Sequence, residues 1–151
     1  MRKSEIEPLL KSKTVWKPGS PMVIESVSPT SAFAVIFEDD GETGYLYAID
    51  RSDDPPLSGI AKAPGNRTYP IVDMLHIYDA EEGTTKSLVA EVKWSRDGKK
   101  AGLWFGKDPQ AIFDFESKRG TCRTGFPPLA DHPKHWRAPH DWDEACLKHF
   151  L

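Results

Sequence analysis

The chain has 151 residues, of which 38% are hydrophobic, so it is long and apolar enough for one domain and is not disordered by composition. Its net charge of −3 argues against nucleic-acid binding and against adhesion to an anionic membrane. No secretory leader or membrane-spanning apolar run is visible, and two cysteines make no disulfide framework, so we expect a cytoplasmic protein.

The first third of the chain predicts a tail followed by strands. Residues 1–15 are mostly polar and are expected to form a flexible tail, which leaves 16–151 as a single domain. Residues 22–27 form a plausible strand, and residues 31–37 are apolar on both faces, as in a central strand covered on both sides. Tyr45 to Asp50 alternates in the manner of a strand that returns from a hairpin.

The middle of the chain is harder to interpret. Residues 51–67 contain three prolines and two glycines and predict a long surface loop, a feature that in a compact domain hints at a role. Residues 70–78, PIVDMLHIY, fit both a helical stripe and a strand. We predict a turn of helix that runs into a strand.

The clearest pattern lies between residues 88 and 115. Alternate residues from Leu88 to Trp94 are apolar, and the Asp97-Gly98 pair that follows is a strong hairpin signal, because glycine accepts the positive φ of a tight turn. Two further alternating runs, ending at Phe105 and Phe115, complete a three-stranded meander. We therefore expect Trp94, Leu103 and Phe113 to share one interior.

The C-terminal region is predicted to be irregular and then helical. Residues 120–139 are rich in turn formers, whereas Asp141 and Glu144 match a capping box at the start of a helix over 141–150. The predicted fold is mainly β: an antiparallel meander forms a curved sheet or sandwich-like barrel, and this helix packs on it.

Four short motifs resemble a known family. They are FEDDGETGYLYAID at 37–50, DMLHIY at 73–78, WSRDGKKAGL at 94–103 and AIFDF at 111–115. With them the chain resembles small bacterial proteins grouped as domain of unknown function 2251. The resemblance implies a bacterial source and carries over no activity.

An acidic hairpin is the first candidate site. Between residues 25 and 54 there are eight acidic residues and one basic residue. A solvated hairpin tip and a calcium site are alternatives, although the spacing is not that of a known calcium loop. We expect this hairpin to bind a protein partner with a basic surface, through a set of acidic residues and two aromatic anchors: Glu38, Asp39, Asp40, Glu42, Tyr45 and Tyr47.

A histidine-rich loop offers the alternative function. His132, His135 and His140 supply nitrogen ligands of the kind zinc uses, but no established zinc motif accompanies them. Two weaker candidates are Cys122, beside an arginine, and an Asp73–His76 acid–base pair.

The acidic hairpin, the long polar loops and the absence of a catalytic motif together favour the first of the two functions. We predict a non-catalytic protein-binding module without a cofactor, of which an immunity-type inhibitor of a toxin would be one form. The alternative is a metal-dependent or small-molecule-binding enzyme that uses the histidine loop.

Overall fold

A computed structural model describes residues 13–52, 71–81, 86–124, 136 and 141–150. These residues contain nine strands and a C-terminal 3₁₀ helix, Glu144–Phe150. The strands are β1 (Lys13–Trp16), β2 (Met22–Val27), β3 (Phe33–Asp39), β4 (Thr43–Asp50), β5 (Ile71–Asp79), β6 (Leu88–Trp94), β7 (Lys100–Phe105), β8 (Asp108–Asp114) and β9 (Arg119–Cys122).

The strands form two antiparallel sheets. One has five strands in the order β1-β6-β7-β8-β9, and the other has four in the order β2-β3-β4-β5. One core cluster takes buried side chains from both sheets, including Ile24, Phe37 and Leu46 from the second and Leu103 and Phe113 from the first. The mainly β prediction is confirmed as a sandwich, since the nine described strands do not close into a barrel.

The predicted meander is confirmed as β6, β7 and β8. Val92 pairs with Leu103, and Ala101 pairs with Phe113, so the apolar faces of neighbouring strands coincide. Leu103 and Phe113 lie in the core with Trp94 packed against it. Gly98 has a φ of +73°, as the hairpin prediction requires.

Two strands lie where the sequence predicts other structure. Residues 13–15, assigned to the tail, belong to β1, which pairs with β6 from Lys13↔Glu91 to Trp16↔Leu88. Residues 120–122, expected to be irregular, belong to β9, which pairs with β8. Both strands have four residues, too few for an alternating pattern to stand out.

The ambiguous segment at 70–78 is a strand throughout its described part. In β5 the buried residues Asp73, Leu75 and Ile77 alternate with half-buried ones, so the period is two and the predicted helical turn is wrong. Pairing with β4 fixes this conformation, with two register shifts along the ladder.

The C-terminal helix starts later than predicted. Thr121 Oγ donates to the Asp141 carbonyl, which ties that residue to β9, and Asp143 rather than Asp141 accepts the free N–H of Ala145, at 3.0 Å. None of the helix residues is fully buried. The helix nevertheless packs on the five-stranded sheet, where the Phe150 ring lies 5.2 Å from that of Trp104.

Hydrogen bonds join the two sheets at one end of the sandwich, which we call the Gly98 end. The Gly98 carbonyl accepts from Ser28 Oγ at 2.8 Å and from Ser31 Oγ at 2.9 Å. Thr30 Oγ1 donates to the Asp97 carbonyl at 2.8 Å. The β2–β3 and β6–β7 turns are therefore in direct contact.

Candidate functional site

The acidic hairpin lies at the opposite end, which we call the Asp39 end. Its turn joins β3 to β4, and Gly41 in this turn has a φ of +105°. Asp40 Oδ1 accepts the backbone N–H groups of Glu42 and Thr43, both at 2.9 Å. These bonds fix the turn while the side chains of Asp40 and Glu42 remain exposed to solvent.

Asp39 does not belong to the exposed part of the hairpin. Its side chain is 1% exposed, because β3 places it on the same inward face as Phe37. Its carboxylate accepts four donors: Gly19 N and Gly41 N at 2.8 Å, Trp16 Nε1 at 3.1 Å, and Tyr78 OH. Asp39 thus joins three segments of the chain, a role that the sequence did not indicate.

Tyr78 completes this cluster from β5. Burial, followed by the hydrogen bond to Asp39, raises the pKa of the Tyr78 phenol far above its ordinary value. The phenol therefore stays protonated and donates to the carboxylate. The rings of Trp16 and Phe105 pack beside it, at centroid distances of 6.3 and 5.9 Å.

A cleft of about 640 Å³ opens beside the acidic turn. Three segments line it: the β1–β2 turn, the β3–β4 turn and the end of β5. Its side chains carry three carboxylates and one ammonium group, and most of the remainder are small. The lining residues are Lys17, Pro18, Gly19, Ser20, Gly41, Glu42, Thr43, Asp79, Ala80 and Glu81.

Three other predicted binding residues lie on the outer face of the four-stranded sheet. Tyr47 is 9% exposed and donates through its hydroxyl to Glu38 Oε1 at 2.8 Å. The half-buried Tyr45 stacks on Tyr47 at 6.1 Å and lies 5.8 Å from the His76 ring. His76 Nε2 contacts Asp79 Oδ1 at 2.8 Å, so this face runs into the rim of the cleft.

The six predicted residues therefore separate into three groups. Asp40 and Glu42 are exposed in the turn, Asp39 points into the interior, and the remaining three share the outer face of the sheet. The alternation of Val35, Phe37 and Asp39 on one face was the signal that could have shown Asp39 to be inward. The adjacent acidic residues obscured it.

The weaker candidates do not assemble into a site in the described part of the chain. Asp73 and His76 lie on opposite faces of β5, and the fully buried Asp73 faces Gly120. Cys122 is buried, with its sulfur 3.2 Å from Thr124 Oγ1. His132, His135 and His140 lie outside the described residues, and within those residues no group of three or more metal-ligating side chains is found.

Comparison with known proteins identifies a family whose description names no activity. Residues 16–151 match the model of DUF2251, described as uncharacterized protein conserved in bacteria, so the chain belongs to this family. An uncharacterized protein of Haemophilus influenzae is 36% identical over 97 residues, which are 63% of this chain and 52% of that protein. The match thus spans about half the length of that relative. No solved structure matches the chain.

Within the described residues, no helix has the length and apolarity to cross a membrane.

Proposed function

We propose that this DUF2251 protein is a non-catalytic protein-binding module that presents its acidic turn and the adjoining cleft to a basic surface of another protein. An immunity-type inhibitor would be one form of such a module. The observation that supports this most directly is the set of four hydrogen bonds to Asp39, which fixes the turn carrying Asp40 and Glu42.

A fixed turn favours binding because little conformational freedom is lost when the partner arrives. Glu42 also lines the cleft together with Asp79 and Glu81, so negative charge surrounds a concavity large enough for side chains of a partner. Charges of this kind speed encounter and select partners of opposite charge, and their effect weakens as salt screens them.

Tyr45 extends the proposed surface beyond the turn. Its ring stacks on Tyr47, which Glu38 holds through a hydrogen bond, so the aromatic pair is rigid. Rigid tyrosines are frequent energetic centres of protein interfaces, and an aromatic face also attracts lysine and arginine. The position of Tyr45 supports a contact next to the charged one.

The proposal is tested by removing charge without disturbing the turn. In an Asp40→Asn, Glu42→Gln double variant the amide oxygen at position 40 can still accept both backbone N–H groups. We expect this variant to bind a fluorescent decalysine peptide about tenfold more weakly than the wild type in low salt, as measured by fluorescence anisotropy. The difference should shrink at physiological ionic strength.

A matched control comes from the C-terminal segment. Asp141→Asn with Glu144→Gln removes the same number of charges from two exposed residues that also lie close together in the chain. Binding in this control should stay close to that of the wild type. If both double variants weaken binding equally, net charge rather than the acidic turn governs association, and the proposed surface is wrong.

A further inference from the structure

Strand β1 is a short edge element that is held mainly by one side chain. It has four residues, and Trp16 is the one among them that is buried, at 5% exposure. Val15 is 65% exposed, although it is a large apolar residue in a strand. Four ladder positions with one buried side chain make β1 a strand of low local stability compared with the long central strands.

Trp16 connects this strand to the interior of the Asp39 end. Its ring packs against Phe105 at 5.0 Å and against Phe37 at 5.3 Å. Its indole N–H lies 3.1 Å from both Asp39 Oδ2 and the Tyr78 hydroxyl oxygen. The indole therefore contributes to packing and also helps to satisfy the charge of a buried carboxylate.

The two oxygens of Asp39 serve different segments. Oδ2 accepts from Trp16, from Gly19 in the turn that follows β1, and from the Tyr78 hydroxyl, whereas Oδ1 accepts from Gly41 in the acidic turn. If β1 separates from the sandwich, Oδ2 loses the donors Trp16 and Gly19 and keeps only Tyr78. A buried carboxylate short of donors is costly, so it would turn toward water and release Gly41.

We propose that β1 is a latch for the acidic turn: docking of this strand, transmitted through Trp16 and Asp39, keeps the turn in its observed conformation. The functional consequence rests on the proposed function. A partner that binds the turn must then stabilise docking of β1 by the same free energy with which docking of β1 favours that partner. Anything that draws β1 away from β6 weakens binding at the other side of the carboxylate.

The coupling is measured on the isolated protein by amide hydrogen exchange with NMR detection. Trp16→Phe keeps an aromatic ring on β1 and removes the indole donor to Asp39. We expect exchange to accelerate on the order of tenfold at Gly19 and also at Gly41, which lies in a different segment of the chain. Exchange at Gly98, whose N–H bonds to the Ser95 carbonyl at the opposite end, should not change beyond the global loss of stability.

A second variant changes a donor to Asp39 that lies on β5 of the four-stranded sheet rather than on β1. Tyr78→Phe removes a donor to Asp39 and also the hydroxyl that contacts Trp16 Nε1, while the residues of β1 themselves are unchanged. The latch requires faster exchange in residues 14–16 of that strand as well. Ser28→Ala, at the Gly98 end, is the control that should leave Gly19 and Gly41 unaffected.

Two outcomes overturn the latch. In one, Trp16→Phe accelerates exchange in β1 but leaves Gly41 unchanged; in the other, Tyr78→Phe leaves β1 unchanged. Because no partner or peptide takes part, these results are independent of the decalysine measurement. If the turn variant and the C-terminal control bind decalysine equally, the proposed function is refuted but the coupling between β1 and the turn is not. If hydrogen exchange shows no coupling while the turn variant alone binds decalysine more weakly, the latch is refuted and the proposed function is not.

Discussion

At the Gly98 end, hydroxyl groups of the four-stranded sheet donate to backbone carbonyls of the five-stranded sheet, whereas at the Asp39 end one carboxylate joins segments of both. The first arrangement brings backbone against backbone, so that a Cβ atom at Gly98 would lie 1.9 Å from Thr30 Oγ1. The second leaves a cleft of about 640 Å³. The Asp39 end therefore leaves more surface accessible to a partner than the Gly98 end, where the two turns are in contact.

The difference follows from what each group can accept. A serine or threonine hydroxyl makes a local neutral bond and requires its partner backbone to be adjacent. A carboxylate accepts several donors from separate segments and makes stronger bonds than a neutral acceptor. Asp39 can therefore hold two turns in place while the space between them stays open, which is what a preformed binding surface needs.

The largest expected effect comes from removing the carboxylate. Asp39→Ala leaves four donors without their acceptor in a buried position, and we expect the free energy of unfolding to fall by about 3–5 kcal/mol. Urea denaturation followed by tryptophan fluorescence gives this value. If the alanine variant does not fold, Asp39→Asn, with an expected loss of about 2 kcal/mol, provides the same comparison.

The control for this prediction lies at the other end of the sandwich. Ser28→Ala removes one donor to the Gly98 carbonyl, which keeps its bond from Ser31. It also removes the acceptor of the Thr30 and Ser31 N–H groups, but these lie in a partly exposed turn, so the loss should be about 1 kcal/mol. If Asp39→Asn and Ser28→Ala lower the free energy of unfolding equally, the hydrogen bonds to Asp39 do not stabilise the sandwich more than those at the Gly98 end.

A smaller effect tests the close approach at the Gly98 end. Gly98 and Gly106 both have positive φ, at 73° and 62°, so alanine is strained at either position. A Cβ at Gly106 meets no atom within 4 Å, whereas one at Gly98 collides with Thr30 and Ser28. We expect Gly98→Ala to cost about 3 kcal/mol in unfolding free energy and Gly106→Ala about 1 kcal/mol. Indistinguishable costs would show that the two turns are not pressed together.

The smallest effect is a pH dependence at the Asp39 end. The unfolded chain ionises Tyr78 near the ordinary pKa of 10.0, while burial and the Asp39 hydrogen bond raise its pKa in the folded protein. Stability from this group is therefore fully present below pH 10 and falls as the pH rises above it, by about 1 kcal/mol at pH 11. In Tyr78→Phe this loss disappears, so the stability difference from the wild type should narrow between pH 8 and pH 11.

Urea denaturation of the wild type and of Tyr78→Phe between pH 8 and pH 11 measures how far the difference in their free energies of unfolding narrows. Every other alkaline titration is common to the two proteins and cancels in the difference. A stability difference that stays constant to pH 11 would mean that Tyr78 ionises normally in the folded protein and is not a sequestered donor to Asp39.

Much of the strand pattern could be predicted because it depends on local alternation. The bounds 22–27 and 88–94 agree with the structure, and the Asp97-Gly98 turn lies where glycine permits its positive φ. Strands β1 and β9 were missed, since they are short and gain their stability from pairing with β6 and β8. Strand β5 was predicted in part, since its apolar residues fit a helical stripe as well as a strand and only its pairing with β4 decides between them.

The exposure of the candidate residues was predicted in part for a similar reason. An acidic run between two strands indicates an exposed turn, and Asp40 and Glu42 are exposed as such a run implies. The same composition cannot show that Asp39 is buried, because its donors come from Trp16, Gly19 and Tyr78, which are distant in sequence. The cleft could not be predicted at all, since it forms where three separate segments meet.

The sequence by itself determined the class of fold, the meander and the position of an acidic hairpin, because each depends on neighbouring residues and on the allowed φ and ψ of the turns. Only the tertiary structure decided the division of the strands between two sheets and the inward direction of Asp39. Both depend on contacts between residues far apart in the chain. Such contacts are selected by burying apolar faces together and by satisfying buried polar groups, which are properties of the whole molecule.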